Sequence, residues 1–570
     1  MNKDVDEIKK KLNFAFSCIQ NNNHLNAIKI YEEILVEDEN NFDANSNLGM
    51  IHAQYNNLEK SEKYLNKAIE IDPKNPYALN NLTSILIRLG RNDEAIKYSQ
   101  KAIDLKQNFS LAYNNLGLAQ QNIKKNDDAK ISFLKAIELE KKNVLPYFNL
   151  AFLYESLNDT ENSEVYYIKA IEVNPRFFSA YNNLMNLYER INDNSKLQLI
   201  IEKGEKEFIN NFSIKLFKGK LQFKSNLYKE AIKNLESFKF NKNNYLQESL
   251  RYSVLASSYD KIHQFDKAFE NFELANKINF EINKNKLDKD RSIKLIDDRI
   301  DFFKEKNLKY WKYTSIGNGT KNPIFIIGFP RSGTTLLNTI LNSHPEIEVI
   351  EEKPIVNKFI KFLDEEIYSN FFNLKDLDKN LLKKLKLKYF EILQSYTKKD
   401  KKIYIDKMPL NIIYVGEIFR IFPEAKFIFV MRHPCDCILS CFIQNFSLND
   451  AMANFTDLKS TSKFYNLVMT LWQQYLKVFK INYHLIRYED VVNNFENSVN
   501  ELLNFLDLEW SDNVRKFYET AKNQGKISTP SYDQVNKPIY SKSVGRWKNY
   551  ERQFQEIYPI IEPWIKNYKY

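Results

Sequence analysis

Residues 323–338 read PIFIIGFPRSGTTLLN. The run IFIIG (324–328) has the length and apolar content of a buried strand. Gly328 and Gly333 bracket a short loop, and TTLLNTILNSH then reads as a helix with Thr334 and Thr335 in its first turn. A strand, a tight glycine loop and a helix N-terminus make an anion site, because the backbone N–H groups of 331–335 converge there. The glycine spacing is that of a Walker A loop, G-x-x-x-x-G-K-[ST], yet Thr334 stands where the lysine belongs. The cation is Arg331, two residues before the second glycine, and no clear Walker B aspartate follows downstream. These departures argue against a P-loop kinase or triphosphatase. They leave a phosphate or sulfate cradle that needs no metal.

Outward from the loop, short apolar runs alternate with helical stretches: IYI (403–405), KFIFVMR (426–432) and YHLIRY (483–488). Strands alternating with helices predict a P-loop-like α/β domain with a parallel sheet, over 321–570. Ligands bind such a sheet at the carboxyl ends of its strands. Each conspicuous polar cluster of this half follows one of those runs.

The front half is periodic. Asn47-Leu48-Gly49, Asn81-Leu82-Thr83, Asn115-Leu116-Gly117, Asn149-Leu150-Ala151 and Asn183-Leu184-Met185 recur every 34 residues. Small residues keep the same step at Ala27, Ser61, Ala95, Ala129 and Ser163, and again at Ala68, Ala102, Ala136 and Ala170. Pro73 and Pro175 close units in the same phase. Small residues where helices cross allow close approach, and each helix pair buries its open face on the next. This unit resembles the tetratricopeptide repeat, which implies an α-solenoid over 8–280. Beyond residue 228 the spacing slips. Tyr113, Tyr147 and Tyr181 share the step and read as packing positions. A charged segment, 281–320, is expected to hold one amphipathic helix and a linker.

Composition narrows the class. Of 570 residues 43% are hydrophobic and 14% aromatic, enough for packed domains. The first residues carry no apolar leader, and no apolar run approaches the roughly 20 residues of a spanning helix, so a cytoplasmic protein without a membrane span is expected. Net charge is +10, but lysine is interspersed with Asp and Glu. That pattern fits solvated helix faces better than nucleic acid, and a polyanionic small ligand fits the sign equally well. Cys435, Cys437 and Cys441 cluster near His433, but no second ligand pair answers them, so reduced, buried thiols are expected rather than a metal site.

Several separated motifs in 321–550 together resemble the sulfotransferases that use 3′-phosphoadenosine 5′-phosphosulfate (PAPS). PRSGTT resembles the family's 5′-phosphosulfate loop, which implicates Arg331, Ser332, Gly333, Thr334 and Thr335. VMRHPCDCILS (430–440) is similar to its 3′-phosphate motif, through Arg432 and Ser440. HPEIEVIEEKP (344–354), YIDKMPLN (404–411) and SYDQVNKPIYSKSVGRW (531–547) resemble the tyrosylprotein sulfotransferase branch. That resemblance implies Glu352 as base, with Glu351 the alternative, and Lys407 opposite the leaving phosphate. It also implies Tyr488, Ser531 and Arg546 as nucleotide contacts. Gln444 departs from an arginine that some relatives carry. Read alone, Glu352 is equally a surface carboxylate, Lys407 a solvated lysine at a helix start, and Asp436 an N-terminal helix cap.

The resemblance implies sulfuryl transfer from PAPS, with adenosine 3′,5′-bisphosphate as product and no metal. The resemblance and the solenoid together suggest a protein or peptide tyrosine as acceptor, with a saccharide or lipid hydroxyl as the alternative. The repeat resemblance implies a solenoid that binds acceptor or partner protein, and a homodimer is compatible with it. The competing class is a catalytically inactive repeat scaffold, against which the set Arg331, Glu352, Lys407, Arg432 and Ser440 stands.

Overall fold

The computed structural model describes residues 2–240, 244–304, 308, 322–367, 371–398, 400–523 and 543–570. Its contacts divide the chain into two compact units, Met1–Leu221 and Gln222–Tyr570. Ser531 and most of the stretch expected to be a linker lie outside the described residues.

The first unit is built of helix pairs, among them His24–Glu37, Phe42–Gln54, Leu58–Ile71 and Pro76–Arg88. The small residues of both 34-residue series have no exposed surface at all. They sit where neighbouring helices touch, and a larger side chain would force the helices apart. Ser61 is tolerated there because its hydroxyl donates to the Gly49 carbonyl at 2.7 Å. At Gly117 a Cβ would fall 2.7 Å from the Phe133 ring, so the glycine is what lets that ring in. Polar links follow the same step: Asn115 donates to Asn80 at 2.9 Å and Asn149 to Asn114 at 2.8 Å. Tyr147 and Tyr181 are core residues, and Tyr113 packs against a core cluster half-buried.

The two helices of a pair are joined through one left-handed residue. These are Asn22, Asn56, Gly90, Lys124, Asn158, Asn192 and Asn226, each 34 residues after the last, with φ between 57° and 77°. The next, His263, comes 37 residues later. The slip in spacing is therefore confined to the stretch between Asn226 and His263.

The second unit opens with helices Tyr228–Glu236, Tyr245–Lys261, Phe265–Asn283 and Lys289–Phe302. A five-stranded sheet follows: β1 Ile324–Gly328, β2 Ile347–Glu351, β3 Ile403–Lys407, β4 Lys426–Met431 and β5 Asn482–Arg487. Its order is β2-β3-β1-β4-β5, and all neighbours are parallel. Ile326, Ile405 and Ile428 of the three central strands are fully buried, together with Ile340 and Leu341 of helix Thr334–Asn342. The expected strands all form. Strand β2 was not expected as one, because Glu346, Glu348 and Glu351 break its apolar run. Glu348 is buried there and accepts from the Lys398 amide at 3.0 Å.

The amphipathic helix expected within 281–320 is Lys289–Phe302, packed against Leu458–Val478. It carries a buried ion pair: Arg299 Nη2 lies 2.6 Å from Glu417 Oε1, with the guanidinium 4.7 Å over the Tyr414 ring. Removing one partner of such a pair strands the other charge in the core. Glu417→Ala should cost about 3–5 kcal/mol and lower the melting of the full chain by several degrees. Arg299→Met combined with Glu417→Leu should recover most of that loss in the same thermal scan. An unchanged melt for Glu417→Ala would show that the pair does not anchor the helix.

Candidate active site

All five strands point the same way, so their carboxyl ends share one edge. Strand β1 is central, flanked by β3 and β4, and the chain crosses from one side of it to the other. That reversal opens a crevice at the end of β1. Gly328 can end there because a Cβ would sit 2.5 Å from the Val430 carbonyl oxygen of β4. Arg331 and Gly333 both take left-handed conformations, with φ of 68° and 105°. A Cβ on Gly333 would fall 2.7 Å from the Tyr488 ring, so the loop is packed directly on that tyrosine. Thr334 and Thr335 then open a helix whose first amides have no carbonyl a turn behind them.

On one side of this loop lies an arginine-lined cavity of about 230 Å³, bordered by Arg331, Arg432, Ser440 and Arg546. Arg331 Nε donates to Ser440 Oγ at 3.1 Å. Sequence reasoning had placed these two residues at opposite ends of a donor; here they touch. Arg432 lies directly after β4 and donates from Nη1 to the Arg331 carbonyl at 3.3 Å, and from Nη2 to the Ser543 carbonyl. Its guanidinium is 5.0 Å from the centre of the Tyr488 ring. Burial, and then the neighbouring Arg432 charge, pull Arg331 below its ordinary value, while the Glu352 charge acts in the opposite sense. Ser332 Oγ and Arg432 Nε are both buried without a hydrogen-bond partner among the described residues. Two crowded guanidiniums and two unmet polar atoms beside a helix N-terminus fit an anionic ligand.

The other side holds a compact ion cluster. Lys407, the last residue of β3, is fully buried, with Nζ 3.0 Å from Glu351 Oε1 and 2.8 Å from Glu352 Oε1. It is therefore not a solvated helix-start lysine. Pairing of β2 with β3 puts Glu351 beside Lys407, and the Glu352 amide donates to the Lys407 carbonyl at 2.8 Å. Glu352 is left-handed at φ 47°, an unusual conformation for a glutamate that turns the chain at the strand end. Its side chain is 40% exposed against 19% for Glu351, so Glu352 is the more open of the two carboxylates.

Asp436 does not cap its own helix. His433 does, through Nδ1, which accepts from the Cys435 amide at 3.2 Å. The Asp436 carboxylate instead accepts from the amides of Gly545 at 2.7 Å and Trp547 at 2.9 Å, holding the segment that carries Arg546. The three clustered cysteines are buried. Cys441 Sγ donates to the Pro330 carbonyl at 3.4 Å, and burial pushes the Cys435 thiol up to about 12. Sequence reasoning missed Ser257, Asp260 and Lys261, which border the same cavity from helix Tyr245–Lys261. Nothing in the local pattern marks them, since they reach the cavity only through the tertiary fold.

The strand–loop–helix and the two clusters define an anion-handling α/β domain. Comparisons with known proteins agree. Residues 323–512 match the sulfotransferase family, and residues 19–80, 64–97, 111–143 and 146–177 match tetratricopeptide repeats. An uncharacterized protein of Aquifex aeolicus is 29% identical over 326 residues, 55% of this chain and 41% of that protein. The protein-tyrosine sulfotransferase of Drosophila melanogaster is 24% identical over 237 residues, 39% of this chain and 46% of that protein. Human protein-tyrosine sulfotransferase 1 is 26% identical over 240 residues, 39% of this chain and 62% of that protein. The chain thus spans less than two thirds of the length of these relatives. Among solved structures, a tetratricopeptide repeat protein from Parabacteroides merdae covers 44% of this chain and 99% of its own, at 18% identity and a TM-score of 0.34. The chain carries tetratricopeptide repeats and a sulfotransferase-family domain, with distant similarity to protein-tyrosine sulfotransferases.

Behind the site, Asp406 precedes Lys407 and points to the opposite face of the sheet, where Tyr389 donates to it at 3.4 Å and Asn411 at 3.5 Å. Burial pushes its carboxyl up to about 8. The folded state then holds a proton that the unfolded chain gives up near pH 4. Stability should fall as pH rises between about 4 and 8, and level off above. Asp406→Asn should flatten that decline in melting temperature, and an unchanged slope would assign it to other groups.

Proposed function

We propose that this chain transfers a sulfuryl group from PAPS to an acceptor hydroxyl, the acceptor being a protein or peptide tyrosine. The observation that carries the reading is the pair of charge clusters along one sheet edge: the arginine-lined cavity beside the glycine loop, and Lys407 between two glutamates. Sulfuryl transfer needs an in-line nucleophile, neutralised charge on the transferring group and a stabilised leaving phosphate. Arg331, Ser332, Gly333, Thr334 and Thr335 would hold the 5′-phosphosulfate. Arg432, Ser440, Tyr488 and Arg546 would hold the 3′-phosphate end. The donor, when bound, supplies an activated S–O bond.

Glu352 accepts the proton of the acceptor hydroxyl as its oxygen bonds to sulfur. Lys407 neutralises the phosphate oxygen that keeps the electron pair of the broken S–O bond. The choice of tyrosine rests on the similarity to protein-tyrosine sulfotransferases. The repeats offer the extended surface on which such an array would bind an acceptor protein or a partner.

Adenosine 3′,5′-bisphosphate should raise the melting temperature, whereas ATP with Mg²⁺ should not. Stabilisation by ATP–Mg²⁺ alone would favour a nucleotide triphosphatase. Glu352→Gln should lower kcat by on the order of 100-fold or more while leaving bisphosphate affinity within about twofold. Loss of bisphosphate binding would make Glu352 structural, and a larger kcat loss in Glu351→Gln would move the base to Glu351. With labelled PAPS and cell extract, label should be recovered as tyrosine sulfate in protein; label in glycan or lipid would replace the acceptor class.

A further inference from the structure

We propose that helix Tyr245–Lys261 forms part of the donor pocket and that Lys261 contacts the 3′-phosphate. This rests on the PAPS reading above. The cavity has two walls. Arg331, Arg432 and Ser440 belong to the sheet side, while Ser257, Asp260 and Lys261 come from the end of this helix.

The helical wall is fixed in place by polar contacts that a loosely attached repeat would not make. Asp260 accepts from Arg546 Nη2 at 2.9 Å and from the Tyr550 hydroxyl at 2.6 Å. From the next helix, Phe265–Asn283, Asn276 donates to the Phe442 carbonyl at 2.7 Å and Asn279 to the Phe446 carbonyl at 3.1 Å. The Phe269 ring stacks on Phe442 at 4.9 Å. Residues 442 and 446 lie at and just beyond the end of the helix that carries Ser440.

The charges decide which residue of this wall meets the ligand. Asp260 repels a phosphate and is already engaged with Arg546. Asp436 is occupied by the amides of Gly545 and Trp547, while Arg432 keeps its Nε, unpartnered among the described residues, free for the ligand from the sheet side. Gln444 borders the cavity as a neutral group. Lys261 borders it too, is exposed, and makes no ion pair among the described residues. A phosphate monoester carries close to two negative charges at neutral pH. A flexible ammonium at the rim can follow it as a point charge, supplying the cation that Gln444 does not.

The test is titration calorimetry of the full chain with adenosine 3′,5′-bisphosphate and with adenosine 5′-monophosphate, which lacks the 3′-phosphate. Lys261→Ala should weaken the bisphosphate on the order of tenfold and leave the monophosphate unchanged. Lys261→Arg should restore most of the loss, and the melting temperatures of the unliganded variants should match wild type. Unchanged bisphosphate affinity in Lys261→Ala would overturn the proposal, as would an equal loss for both nucleotides. Failure of the wild-type chain to bind the bisphosphate would remove the donor reading itself, and the proposal with it.

Discussion

A parallel sheet leaves little choice about where polar chemistry can sit. Its interior must be apolar on both faces, as Ile326, Ile405 and Ile428 are, so charged side chains collect where the strands stop. In this protein the register brings Lys407 opposite Glu351, Gly328 against Val430 and Arg432 into the adjoining loop. One residue of slip in β3 would turn Lys407 to the face where Asp406 now lies and put the acid in its place. Strand pairing thus sets Lys407 directly, and sets the loops that carry Arg331 and Arg432 by fixing where β1 and β4 end.

Much of this was legible in the sequence because it is written in local periods. The 34-residue step, the glycine loop and the strand runs at 324, 403, 426 and 483 each announce themselves within a few residues. Strand β2 did not, because buried Glu348 gives an edge strand the look of a charged turn. Arg299 and Glu417 carry no local mark of their pairing, since nothing short-range says that 117 intervening residues will bring them into one core. The same holds for Asp436, whose position predicts a helix cap and whose carboxylate instead binds amides more than a hundred residues on. Residue types at motif positions were readable; which of them touch was not, as the Arg331–Ser440 contact illustrates.

The two proposed reactive groups are held by different means. Lys407 is immobilised by burial and by two carboxylates, whereas Glu352 is open on one side and set by a left-handed turn. In the proposed reaction the rigid cation would face the donor and the more accessible acid the incoming acceptor. Charge fixed in advance in this way needs no reorganisation at the moment of reaction.

Only 12 of the 570 residues are glycine, and the recurring left-handed turn of the repeats shows how the chain manages without more. Asparagine fills five of the seven positions and lysine one, each at some conformational expense relative to glycine. In a stacked array such small local expenses add along the chain, because each repeat's stability enters the sum separately. The turn residues are all exposed and remote from the helix crossings. Exchanging one of them would change the stability of the array by its own local amount while leaving the packed contacts as they are.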